Sequence, residues 1–129
     1  KVKDEWYFNM RFREGKEGVT SVLDAVPDDN ARSGRSSWPR GPKKHIVEAS
    51  GRAETLCWSV ERKDGGRGVG FTGAHFHYNF GNDGFRKLVL NAVAWTAGLE
   101  IPKNGLVTHR PDEVELDANQ DFKKPEKKK

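Results

Sequence analysis

Asn82-Asp83-Gly84-Phe85-Arg86-Lys87-Leu88-Val89-Leu90-Asn91-Ala92-Val93-Ala94-Trp95-Thr96-Ala97-Gly98 is the stretch from which the rest of the chain can be read. Phe85, Leu88, Val89, Ala92, Val93 and Trp95 recur at spacings of three and four, which lines them along one face of an α-helix. Asn82 or Asp83 supplies a capping oxygen at its start, Gly98 suits the C-terminal cap, and Pro102 prevents the helix from resuming. Such a helix needs an apolar surface to lie on, and the preceding residues offer one. Thr55-Leu56-Cys57-Trp58-Ser59-Val60-Glu61 has strand composition, Lys63-Asp64-Gly65-Gly66 is a hairpin turn signal, and 67–72 reads as the returning strand. A further strand is expected over the β-branched run 19–26, ended by Pro27.

Further out the signals weaken. Residues 27–54 are dominated by Asp, Asn, Ser, Arg, Gly and Pro, and read as a long surface loop or lid. The opening Asp4-Glu5-Trp6-Tyr7-Phe8-Asn9-Met10-Arg11-Phe12 mixes aromatics and charges with no clean period. It reads as an irregular segment or short edge strand that packs its aromatics. Residues 1–102 therefore form one folded portion, and 103–129 a polar extension with a basic tail, partly disordered near its end. Several strands and one strong helix are an unbalanced set, because an α/β sheet needs helices on both faces. The chain reads as the C-terminal half of a larger α/β domain. Its uncovered sheet face and edge predict aggregation or dimerisation.

Composition narrows the function classes. The 129 residues suffice for one domain, and 34% hydrophobic against 33% charged is lean for a self-sufficient core. No apolar run approaches the length of a membrane-spanning helix. The net charge of +4 belongs wholly to the tail 123–129, which holds five lysines and one glutamate. The pI near 9.3 thus reports a tail and not a basic face, which ranks nucleic-acid binding last. No leader pattern is visible, so any targeting segment would lie upstream, and a periplasmic or secreted setting and a cytoplasmic one both stay open. Cys57, the single cysteine, permits no internal disulfide and no cysteine-based zinc cluster. Flanked by Leu56 and Trp58 inside a strand, it reads as a buried structural thiol and not as a nucleophile at a glycine-rich elbow.

The chemistry concentrates in Gly73-Ala74-His75-Phe76-His77-Tyr78-Asn79-Phe80-Gly81-Asn82-Asp83, between a strand end and the helix start. Ligands of α/β folds commonly bind at that position. His75 and His77 point the same way if the segment is extended, which allows either a divalent metal or a general base. An H-x-H pair falls short of the three or four ligands zinc takes, and one imidazole can instead bond loop backbone. Asn79 suits a sugar hydroxyl, and Tyr78 or Phe80 can stack on a ring. Asp4, Glu5 and Tyr7 form a second group, a carboxylate and a phenol able to do acid–base work or to orient an imidazole. From composition alone, Glu5 reads equally as a solvated charge and Tyr7 as a packing residue.

The run from Gly65 through Asp83 and on to Leu90-Asn91-Ala92-Val93-Ala94-Trp95-Thr96-Ala97-Gly98 resembles the C-terminal signature of ThuA-like (trehalose utilisation) domains. Asp4-Glu5-Trp6-Tyr7 with Glu17-Gly18-Val19-Thr20 resembles that family's mid-domain segment, so the likeness spans residues 3–102. It implies a three-layer α/β/α, flavodoxin-like domain of the class I glutamine amidotransferase kind, with a mostly parallel sheet and its N-terminal half absent here. It also implies a bacterial role in the metabolism of trehalose, a related disaccharide or a keto-sugar, with a small sugar as ligand. His75 matches the family's recurrent histidine, and Glu5 and Tyr7 its acidic-aromatic pair. The expected assignment is His75 and Glu5 as catalytic residues, with Tyr7, His77 and Asn79 as substrate contacts. Ala74, Tyr78 and Phe80 depart from the family's usual Gly and Trp, which touches substrate preference. The amidotransferase cysteine has no counterpart, so glutaminase activity is not implied. The rival expectation is a non-catalytic sugar-binding or interaction module of a larger secreted protein.

Overall fold

The computed structural model describes residues 2–34 and 43–118. In chain order it contains β1 (Val19–Ala25), α1 (Asp29–Ser33), α2 (Lys44–Val47), β2 (Glu54–Glu61), β3 (Arg67–Phe71), α3 (Asp83–Thr96) and α4 (Glu113–Ala118). The strands make one sheet in the order β1-β2-β3, with both pairings antiparallel. The β2–β3 link explains the sense of its own pair. Gly65 takes φ +82°, and Asp64 Oδ1 accepts the Gly66 N–H at 2.9 Å and Arg62 Nε at 3.1 Å, so the chain folds straight back. A parallel pair would need a crossover of a dozen residues or more. These three strands therefore do not form the mostly parallel ladder that the resemblance implies. The architecture is a small mixed α/β domain.

The helix expected after Asn82 is α3, and both its ends are closed as its sequence requires. Asn82 Oδ1 accepts the Phe85 N–H at 3.0 Å. At the other end Gly98, with φ +87°, lets its own N–H reach Trp95 O and the Leu99 N–H reach Ala94 O, both at 3.0 Å. This pair of bonds is a Schellman cap. One face of the sheet, with Cys57, Val69 and Phe71, meets Leu88, Val89 and Ala92 of α3 around a gap of about 200 Å³. Phe71 packs against Phe85 at 5.6 Å between centroids. Elsewhere Trp58 lies over Gly70, its paired neighbour, where any Cβ would collide with the indole. Phe12 meets the edge of Trp58 at 5.2 Å, and Trp6 that of Phe71 at 5.6 Å. The opening segment is thus irregular and packs its aromatics.

The core is small. Among the described residues the buried hydrophobic ones are Leu56, Cys57, Phe85 and Ala94, and Val93 of α3 is 60% exposed. Burying so few apolar side chains is unusual for a domain of this length.

Two regions differ from expectation. Within 27–54 lie α1 and α2, and Glu54 already belongs to β2. Arg32 of α1 is 1% exposed and is held by Glu54 Oε1 at 3.0 Å and Arg52 O at 2.7 Å, with its guanidinium over the Phe8 ring. A buried guanidinium needs a buried counter-charge, and Glu54 provides it. Residues 35–42, the rest of the expected lid, lie outside the described ones. Beyond 102 the chain continues to pack. Arg86, 7% exposed, donates to Thr108 Oγ1 at 2.9 Å, Phe80 O at 2.8 Å and Asp83 Oδ1 at 2.7 Å. Asn91 Oδ1 accepts the Leu106 N–H at 2.9 Å. The polar extension is therefore anchored to α3 as far as Thr108, by the buried donor Arg86 and by the acceptor Asn91. The lysine tail lies outside the described residues. No described helix is long and apolar enough to cross a membrane.

Candidate functional site

The site begins with an alternation in the opening segment. Val2, Asp4, Trp6 and Phe8 turn partly inward, and Lys3, Glu5 and Tyr7 are exposed. Asp4, on the inner set, gathers the loop that follows β3. Its Oδ1 accepts the N–H groups of Glu5 at 2.8 Å, His75 at 3.1 Å and Phe76 at 3.2 Å. Its Oδ2 accepts from the Ala74 N–H and from Asn79 Nδ2, both at 2.9 Å. Partial desolvation raises the Asp4 pKa, but the Ala74, Glu5 and Phe76 N–H groups and the Asn79 amide outweigh it and hold the carboxyl below its ordinary value. Ala74 sits at φ +76°, a left-handed conformation that a residue with a Cβ rarely adopts. The Asp4 bonds on either side of its peptide hold it there.

That loop brings His75 to Glu5. His75 Nδ1 lies 3.2 Å from Glu5 Oε2, and the Tyr7 hydroxyl donates to Glu5 Oε1 at 3.1 Å. One carboxylate therefore joins a phenol and an imidazole at the surface, where His75 and Glu5 side chains are 56% and 50% exposed. The hydrogen bond to Glu5, and then its negative charge, push the Tyr7 pKa above its ordinary value. The edge of the His75 ring abuts Phe76 at 5.0 Å.

The other expected residues separate. His77 opens a 3₁₀ turn (His77–Gly81) and packs on Phe80 at 5.8 Å. The segment is not extended through these residues, so the premise that aimed His75 and His77 the same way fails: His75 goes to Glu5 and His77 to Phe80. The described residues contain no group of three or more His, Cys, Asp or Glu able to hold a metal ion. Asn79 Nδ2 also donates to Lys3 O at 3.0 Å, which leaves Oδ1 as its open polar atom. Cys57 is 1% exposed and burial pushes its thiol pKa up, so it supplies no thiolate.

Sequence reasoning placed Asp4 beside Glu5 and Tyr7 without its organising role, and it missed Arg86, which ties the 3₁₀ turn to α3. The signal for Arg86 is its position on the first turns of α3, one residue after Phe85 on the buried face. On the inner side of the opening segment lies an open trough of about 770 Å³, lined chiefly by Trp6, Phe8, Leu23, Leu56, Phe85 and Leu88. Compared with known protein families, with curated proteins and with solved structures, the chain finds no match in any of the three.

Proposed function

We propose that the chain is the C-terminal portion of a three-layer ThuA-like domain that acts on a disaccharide related to trehalose or on a keto-sugar. The observation that carries the chemistry is the single carboxylate of Glu5 shared by Tyr7 and His75. The Glu5 carboxylate, 3.2 Å from His75 Nδ1, steadies by its charge the imidazolium formed when Nε2 takes a proton from a sugar hydroxyl. Tyr7 restrains the second oxygen of Glu5 and meets the substrate beside it, with Asn79 Oδ1 and His77 as further contacts. The trough and the scant buried core support the fold half of the reading, since an adjoining layer would cover both.

In the full-length protein, His75→Ala is expected to lower disaccharide turnover about 10²–10⁴-fold. Glu5→Gln, which removes the negative charge beside His75, lowers it about tenfold to a hundredfold. Turnover of every responding disaccharide unchanged by His75→Ala would refute the assignment. A second reading, a module that binds sugar without turning it over, draws on the half-exposed state of His75 and Glu5. Calorimetric binding of sugars with no product formed would favour it.

A further inference from the structure

Beside the acid–base cluster lies a smaller cavity of about 350 Å³, which the proposed chemistry reaches only through Asn79. It is lined by Val2, Lys3, Phe76, Tyr78, Asn79 and Asn82. Phe76 is the wall between the two places, with the His75 imidazole against its ring and the cavity also bounded by it. Tyr78 is 71% exposed, far more than packing an aromatic into a core would leave. The two asparagines are complementary in what they leave open. Both N–H bonds of Asn79 Nδ2 go to Lys3 O and Asp4 Oδ2, leaving Oδ1 as an acceptor. Asn82 commits Oδ1 to the cap of α3, leaving Nδ2 as a donor.

We infer that this cavity is a subsite for a second sugar ring, stacked on Tyr78 and hydrogen-bonded through its hydroxyls to Asn79 Oδ1 and Asn82 Nδ2. A hydroxyl both donates and accepts, so a polyhydroxylated ring matches an acceptor and a donor held near an apolar face. The subsite lies one aromatic side chain away from His75, which suits a two-ring ligand with its reacting ring at the Glu5–His75 pair. The inference rests on the proposed function and deepens it: the protein selects disaccharides over single sugars through Tyr78.

Calorimetric titration of the full-length protein with trehalose and with glucose tests this. The wild type is expected to bind trehalose more tightly than glucose. Tyr78→Ala weakens trehalose by about two- to tenfold, the worth of one aromatic stacking contact, and leaves glucose unchanged. Tyr78→Phe, which keeps the ring, stays near wild type. The side chain is too exposed for its removal to threaten folding. Equal weakening of both sugars by Tyr78→Ala, or of neither, overturns the subsite. If trehalose affinity survives Tyr78→Ala and His75→Ala still abolishes turnover, the subsite falls and the acid–base assignment stands. A wild type that binds neither sugar also overturns the subsite.

Discussion

The polar and the apolar residues of the opening segment are finished to different degrees. Asp4 satisfies four backbone N–H groups and a side-chain amide, and Glu5 ties Tyr7 to His75. Trp6 and Phe8, on the same inward set as Asp4, line an open trough with Leu23, Leu56, Phe85 and Leu88. Hydrogen bonds close locally, because a carboxylate needs only the few donors within its reach. Apolar burial needs a second surface of matching area, and the described residues supply only part of one. The polar corner therefore holds its geometry beside a trough that stays open.

Three measurements press on that contrast. The largest effect is expected from Asp4→Ala, which leaves the Ala74, His75 and Phe76 N–H groups without their acceptor. A loss of about 2–3 kcal/mol in unfolding free energy should accompany fast amide exchange at these three residues. Unchanged exchange there would mean that the loop holds itself. A smaller effect should come from acid. Asp4 has a folded pKa below its unfolded one, so its contribution is complete above the ordinary aspartate range and is lost as pH falls through the folded value. Amide exchange at 74–76, corrected for the intrinsic pH dependence of exchange, should rise in that acidic window and stay flat above it. The smallest effect belongs to the trough. Ala31 lines it and is only half-buried. Ala31→Leu should change stability by less than about 0.5 kcal/mol, where a closed core would resist overpacking by about 1–3 kcal/mol. A large destabilisation in urea would show the trough to be tightly filled.

The elements with strong local signals were legible: α3 by its spacing and caps, the β2–β3 hairpin by Asp64-Gly65-Gly66, and β1 by its β-branched run. The antiparallel sense of β2 and β3 followed from that turn and not from the resemblance. Arg32 was illegible because its run of polar neighbours looks solvated, and its partners Arg52 O and Glu54 lie 20 and 22 residues away. The alternation of residues 2–8 was hidden by the two members that break it. Asp4 is polar on the inward set and Tyr7 aromatic on the outward one, and both belong to the candidate site. A pattern of apolar and polar letters loses its period where hydrogen bonding has replaced packing. Asp4, Glu5 and Tyr7 were still named as a group, and their meeting with His75 needed the fold.

The bonds from Asp4 to Ala74, His75 and Phe76 span 70 to 72 residues of chain. Closing a loop that long costs entropy before any contact offsets it, whereas β2 and β3 meet across a short turn. During folding the hairpin can form early and α3 can settle on it, while Glu5 reaches His75 only once the two distant stretches have met. The Glu5–His75 pair thus depends on the closure of a long loop, and its presence reports that these two distant stretches have met.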